Sequence, residues 1–337
     1  MQNYPSYDYR YLKTLLARQL QAGGDAKTKA IELTSVLQES DPDSVAQDET
    51  SAATPPATRD ELFRYDVVIF GDVNPAVLGA SLLDHLHEFV AGRGGGLVVL
   101  SGPRFTPLAY RDTPLASLLP INLDSATAPP ADSSLAAEAR VRLTPLGQGS
   151  PVLQLTDDSA ENQELWKQLP PWYWWIEAGE VRPGARVLAE HPTRTDAEGR
   201  PLPMVCVQFI GAGKVVFHAS DDSWRWSRGP AGEQAYARYW LQTLRYLSRS
   251  KLAAAGRSAQ LTSDRDEYEQ GDVGRLRVRF FDERRAPADD QGVSVVMERD
   301  GGRRQTLRLG RDSTGRADFT AAMPLSLAGS YRAWLAT

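Results

Sequence analysis

The sequence predicts an α/β domain over residues 1–252 followed by an all-β sandwich over residues 257–337. Two observations carry this reading. First, the apolar run Tyr65–Gly71, a helical pattern through Val90 and the run Leu97–Leu100 form a strand–helix–strand unit. A crossover of that length joins parallel strands. Second, helical periodicity stops after Lys251–Gly256, and short alternating segments take over, which is the signature of antiparallel strands.

Taken in order, Tyr7, Tyr11, Leu12, Leu15 and Leu16 fall on one face of a first helix, with Gly23-Gly24 as its stop. Ala30–Leu37 alternates as a strand, with Ile31, Leu33 and Ser35 on one side, and the polar stretch Glu39–Thr58 reads as a loop or covering segment. Tyr65–Gly71 is the continuous apolar run of a strand covered on both faces, and Asp72-Val73-Asn74-Pro75 turns the chain. Ser81 is placed to cap a helix whose apolar residues Leu82, Leu83, Leu86, Phe89 and Val90 keep a 3.6-residue period. Gly92 and Gly94–Gly96 end it before the buried strand Leu97–Leu100.

Residues 104–131 are Pro-rich and irregular. Ala139–Leu143 and Ala185–Glu190 read as strands flanking a Trp-rich segment, Trp172, Trp174 and Trp175. Met204–Ile210 and Lys214–His218 form a hairpin through Gly211-Ala212-Gly213. A helix over Gly232–Leu247 turns Tyr236, Tyr239, Trp240, Leu244 and Leu247 inward. The sandwich strands are expected near 260–262, 275–281, 293–298, 304–309, 317–321 and 331–335, with turns at Asp300-Gly301-Gly302 and Ser313-Thr314-Gly315.

Composition narrows the function classes. A net charge of −5 with interspersed signs gives no basic field, so no nucleic-acid partner is expected. No apolar run approaches the roughly 20 residues needed to cross a bilayer, so direct membrane insertion is not expected. The single cysteine, Cys206, excludes an internal disulfide and thiolate-based metal sites. The four histidines lie in no zinc spacing, and His85 and His87 would point apart on a helix. Gly92–Gly96 precedes a strand, so it is no phosphate loop. No metal and no cofactor is expected.

Several segments carry a family resemblance: Tyr9–Lys13, Tyr65–Pro75, Gly94–Val98, Gly102–Phe105 and Asp221–Trp226. Together they resemble the class I glutamine amidotransferase-like domain of bacterial membrane proteins that also carry a von Willebrand factor A domain. The C-terminal part resembles the immunoglobulin-like domain that often follows. The resemblance implies a flavodoxin-like parallel sheet with helices on both faces, then an Ig-like sandwich. It also implies a membrane-anchored parent with this part extracytoplasmic. The partners would be other domains of that protein or a membrane-associated complex. Related domains begin with a short apolar strand of which only Met1-Gln2 remains here, so a longer parent with a truncated first strand is expected.

A class I amidotransferase needs a cysteine in a strand-to-helix turn, a histidine base and an acid to orient it. Here the strand Leu97–Leu100 runs into Ser101-Gly102-Pro103, placing serine where the cysteine belongs. Pro103 removes a backbone N–H from any oxyanion hole. His218, followed by Asp221, resembles the strand-end His-x-Glu of the superfamily. The catalytic candidates are therefore Ser101, His218 and Asp221, with Cys206 a separate candidate nucleophile. Cys206 sits in an apolar strand, where a thiol is ordinarily an inert hydrophobe.

Asp72, Asn74, Arg104, Asp222, Trp224 and Arg225 are expected near the ligand crevice at the strand ends. Asp72, Asn74, Asp221 and Asp222 there can hold Mg²⁺ or Ca²⁺ through oxygen ligands, or cap loops and helix starts. Arg225 can pair with Asp221 or Asp222. The tryptophans either fill an irregular core or form a carbohydrate- or protein-binding platform. The leading expectation is a non-catalytic binding or scaffold module. A hydrolase using Ser101 or Cys206 with His218, and a carbohydrate-binding or sugar-processing protein, are the alternatives.

Overall fold

The computed structural model describes residues 1–22, 31–40, 47–129, 138–229, 231–255, 259–265, 268–280, 287, 292–299, 302, 304–312, 318–325 and 327–335. The chain divides into two compact units, Met1–Lys251 and Leu252–Thr337. Among the described residues, no helix is long and apolar enough to cross a membrane.

The first unit is built on a six-stranded sheet. Its strands are β3 (Val67–Phe70), β4 (Gly96–Leu100), β5 (Arg142–Leu143), β6 (Arg186–Thr195), β7 (Pro201–Ile210) and β8 (Gly213–His218), in the order β3-β4-β8-β7-β6-β5. The pairs β3–β4 and β4–β8 are parallel, whereas β8–β7, β7–β6 and β6–β5 are antiparallel. This mixed sheet corrects the expected flavodoxin-like parallel sheet with helices on both faces. The reason is in the loops: a tight turn such as Gly211-Ala212 can only reverse the chain, because a parallel return needs a crossover of about a dozen residues. The strand–helix–strand unit around the helix α2 (Ala80–Arg93) has such a crossover, and it joins β3 to β4 in parallel.

Two further strands, β1 (Ser35–Val36) and β2 (Ser51–Ala52), form a small parallel pair. Residues 1–3 tie it to the main sheet. Gln2 and Asn3 donate to Val36 and Asp72 carbonyls at 3.0 Å each, and Gly71 donates to Met1 at 2.9 Å. Among the described residues of the expected strand 30–37, Ser35–Val36 form a strand and Leu37 adds a parallel bridge to Gln2.

The first helix, α1 (Tyr7–Ala22), buries Leu12 and Leu16 as its spacing requires. Its expected stop at Gly23-Gly24 lies outside the described residues. α2 begins at Ala80 after Gly79 at the N-cap, and no side chain caps it, so Ser81 sits inside the first turn rather than before it. The helix ends at Gly94, whose φ of 73° is the left-handed conformation that favours glycine. Gly96 is required for another reason: a Cβ there would meet Leu247 Cβ at 2.5 Å. That contact seats helix α4 (Gly232–Ala255) against β4, which is buried along its whole length. A further helix, α3 (Ser159–Gln168), follows the irregular region and buries Trp166; its apolar spacing is too sparse to stand out in the sequence.

The second unit is one antiparallel six-stranded sheet. It comprises β9 (Ala259–Ser263), β10 (Val273–Phe280), β11 (Val293–Arg299), β12 (Arg304–Arg311), β13 (Asp318–Pro324) and β14 (Tyr331–Leu335), ordered β14-β11-β12-β13-β10-β9. The end strands β14 and β9 approach each other, so the sheet curls almost closed around Val278, Val295, Leu309 and Phe319. This barrel-like sheet corrects the expected Ig-like sandwich of two separate sheets. β12 makes the difference: residues 304–309 pair with β11, and Gly310 and Arg311 pair with β13. One strand therefore joins what would be two sheets. Alternation in sequence reports one buried face per strand, and that is the same in a sandwich and a closed sheet. The turns expected at Asp300-Gly301 and Ser313-Thr314-Gly315 lie outside the described residues.

Candidate functional site

The parallel strands β3, β4 and β8 deliver Asp72, Ser101 and His218 to one end of the sheet. What they do there differs from what the sequence implied. Ser101 Oγ donates to the backbone carbonyl of His218 at 2.8 Å, and the Ser101 N–H donates to the same oxygen at 3.0 Å. The serine extends the ladder between two strands instead of facing the imidazole.

The His218 ring is fully buried. It lies between the indoles of Trp172 and Trp240, with ring centroids 6.1 and 5.5 Å away and 28° between planes in both cases. Nε2 meets the Tyr239 hydroxyl, and Nδ1 has no partner. Burial without a counter-charge pushes the imidazole down to about 3, so it is neutral at physiological pH. Cys206, on β7, is likewise sealed, and burial alone raises its thiol to about 12. Neither candidate nucleophile is hydrogen-bonded to the imidazole.

Asp72 has a structural task that the sequence reading left open. Its carboxylate accepts from three consecutive backbone N–H groups: Arg104 at 3.0 Å on Oδ2, Phe105 at 2.7 Å and Thr106 at 2.9 Å on Oδ1. It thereby folds the loop after β4. Gly102 is part of this device, because a Cβ there would lie 2.2 Å from Asp72 Cβ. The glycine of Ser101-Gly102-Pro103 thus makes room for a carboxylate and is not the flank of a nucleophile turn. Asn74 accepts from Ala76 N–H at 3.0 Å, capping the short 3-10 turn Pro75–Val77. With both side chains so engaged, Asp72, Asn74, Asp221 and Asp222 are not gathered as ligands. Among the described residues, no group of three or more His, Cys, Asp or Glu is placed to hold a metal ion.

Beside this sealed centre lies an open cleft of about 610 Å³, whose lining includes Tyr4, Tyr7, Tyr173, Asp221, Trp224 and Arg228. Asp222 and Arg225 line it too, as an ion pair with Nε 3.0 Å from Oδ1. Asp222 Oδ2 accepts from the Tyr173 N–H at 2.8 Å. The Arg225 guanidinium lies 4.6 Å from the ring centroids of both Tyr173 and Trp224. Trp224 in turn stacks on Tyr7, centroids 4.8 Å apart at 27°. Arg104 stands over the Tyr4 ring at 4.2 Å and pairs with Glu39 at 3.4 Å.

Asp221, a candidate orienting acid, lines this cleft rather than bonding the imidazole. Burial raises its carboxyl to about 7, reinforced by the charges of Asp222 and Asp72 and only partly offset by its own N–H and Arg225. Behind it Asp8, on α1, is buried, accepts from Ser223 Oγ at 2.7 Å and leaves Oδ2 unpartnered. Burial holds its carboxyl well above the ordinary carboxylate range.

Sequence reasoning named Asp72, Asn74, Arg104, Asp221, Asp222, Trp224 and Arg225, and Tyr173 with the tryptophans, but missed Tyr4, Tyr7, Asp8 and Arg228. The recoverable signal was the tyrosine-rich start, Tyr4, Tyr7, Tyr9 and Tyr11, on and just before a helix whose apolar stripe is short. Of the tryptophans, Trp166, Trp172, Trp175, Trp226 and Trp240 are core, and Trp224 reaches the cleft.

No family model and no curated protein matches the chain. Among solved structures, Cytoplasmic Protein STM3548 from Salmonella typhimurium aligns at 20% identity over 69% of this chain and 86% of its own, with a TM-score of 0.43. Cytoplasmic Protein STM1381 from Salmonella typhimurium LT2 aligns at 20% identity over 69% and 86%, with a TM-score of 0.39. A cold-adapted β-galactosidase from Rahnella sp. R3 aligns at 15% identity over 78% of this chain and 33% of its own, at 0.31. Similarity at this level carries nothing about the chemistry of this chain.

Proposed function

We propose that the unit Met1–Lys251 is a non-catalytic binding module whose ligand site is the cleft beside Asp221, within a chain that serves a larger membrane-anchored protein. The observation that supports this most directly is the burial of the His218 ring between Trp172 and Trp240. A general base must reach the proton it takes, and this ring reaches only Tyr239. The hydrolase reading needs Ser101 or Cys206 against that ring, whereas Ser101 Oγ is spent on a backbone carbonyl. The carbohydrate reading has Tyr7 and Trp224 at the cleft in its favour, but the remaining indole clusters are core.

The extracytoplasmic setting and the partners, other domains of the same protein or a membrane-associated complex, belong to the same proposal. They rest on the short segments that resemble von Willebrand-associated amidotransferase-like proteins. That kinship is itself part of the reading, since the mixed sheet departs from the parallel sheet it implied. The test is ammonia release from glutamine by the purified chain. None above background is expected, and release abolished by Ser101→Ala or Cys206→Ala would refute the non-catalytic reading.

A further inference from the structure

Of the charged side chains that line the cleft, Arg225 is matched by Asp222 and Arg228 donates to the Tyr11 hydroxyl, which leaves Asp221 as the carboxyl without an ion-pair partner among the described residues. The Asp221 carboxyl lies half-buried in the cleft lining, and apart from its own backbone N–H no group among the described residues donates to it. Every neighbouring acid makes this worse. Asp222 and Asp72 act on Asp221 directly, and Asp221 and Asp222 act in turn on Asp8, whose Oδ2 is a buried acceptor without a donor. The rings of Tyr4, Tyr7, Tyr173 and Trp224 line the same cleft. Arg225 already shows what these rings favour, since its guanidinium lies against two of them. A second cation in the cleft would supply the missing donor to Asp221 and find aromatic faces beside it.

We propose that the cleft takes up a protonated alkylamine or alkylguanidinium group, with its charge on Asp221 and its stem along Tyr7 and Trp224. The group comes either from a free amine or from a lysine or arginine side chain of a partner protein. This rests on the reading of the cleft as the binding site and adds the ligand's chemical class.

The experiment is a calorimetric titration of the full chain at pH 8 with n-butylguanidinium, n-butylamine and a capped Gly-Lys-Gly peptide. The uncharged n-butanol and glucose serve as controls. The cations are expected to bind and the neutral probes not to. Asp221→Asn, which keeps the shape and removes the charge, should weaken the cations about 10-fold or more, the scale of a lost charge-assisted hydrogen bond. Because the cation binds the ionised carboxylate, wild-type affinity should fall as pH drops from 8 to 6, while Asp221→Asn shows no such slope. The charged and titratable groups around Asp221 are Asp8, Asp72, Asp222, Arg225 and Tyr4, with Arg228 on the cleft wall, and all of these persist in that variant.

Peptide binding at least as tight as that of butylamine assigns the group to a partner side chain. Binding of the free amines alone assigns it to a small molecule. Cation binding unaltered in Asp221→Asn, or n-butanol binding as tightly as n-butylamine, would overturn the inference. Glucose bound in the cleft while the cations fail would sink the ligand class yet keep the cleft as a site. Failure of every probe would overturn the inference and leave the non-catalytic reading to its own ammonia test.

Discussion

Asp72→Ala removes the acceptor that holds the loop after β4. Three backbone N–H groups, those of Arg104, Phe105 and Thr106, donate to that carboxylate at 2.7–3.0 Å. A hydrogen bond to a charged group contributes about 1.5–3 kcal/mol, and a buried donor left unpaired costs about 1–3 kcal/mol. The three bonds share one carboxylate and are not additive, so the expected loss is about 3–5 kcal/mol. Asp72→Asn keeps an oxygen for Phe105 and Thr106 but turns an NH₂ toward the Arg104 N–H, and about 1–3 kcal/mol is expected. Gly102→Ala should reproduce part of the loss, because its methyl would sit 2.2 Å from Asp72 Cβ. Urea unfolding followed by tryptophan fluorescence is the assay. Seven of the eight tryptophans lie in Met1–Lys251 and Trp334 lies outside it, so the signal reports mainly this unit. Asp72→Ala within about 1 kcal/mol of wild type would show that the loop is held by something else.

Asp8 offers a second test. Its folded carboxyl is held above its ordinary value of 3.8, so the unfolded chain releases a proton that the folded chain retains, and stability is lost as pH rises above that value. Asp8→Asn removes the loss and should be more stable than wild type at pH 7. The advantage should vanish near pH 3 in the same urea titration; a destabilised variant at pH 7 would refute this. Cys206, sealed and with its thiol raised to about 12, should react with a thiol reagent only as fast as the unit unfolds. Rapid native-state labelling would contradict its placement. Arg225→Lys keeps the charge but loses the planar face between Tyr173 and Trp224. A loss of about 0.5–2 kcal/mol is expected from the cation–π contacts, whereas an unchanged midpoint would argue that they contribute nothing.

The strand–helix–strand unit was legible because its elements depend on local pattern. The run Val67–Phe70, the 3.6-residue spacing in Ala80–Arg93 and the run Gly96–Leu100 form the elements their sequence says they should; β4 is buried on both faces as expected, whereas β3, at the sheet edge, leaves Val67 and Ile69 half-buried. Sheet type was not read correctly, although the decisive clue was visible: a hairpin at Gly211-Ala212 cannot belong to an all-parallel sheet. Closure of the C-terminal sheet depends on β12 changing partner at Gly310, and side-chain alternation does not record partners. At the site, the residue types were right and several roles were not. Ser101, His218 and Asp72 do gather at the strand ends, but which atom each presents is set by long-range packing. Trp172 and Trp240 come from distant segments to close on His218, and nothing near residue 218 announces them.

The account turns on the state of the His218 imidazole, and ¹³C-labelled histidine followed by NMR from pH 8 to pH 4 reads it directly. The His218 signal, assigned by its loss in His218→Gln, is expected to stay neutral and unshifted across that range, since burial holds it down to about 3. A midpoint near the ordinary 6.5 would mean that solvent reaches the ring, that Trp172 and Trp240 do not seal it, and that a base is available for catalysis after all.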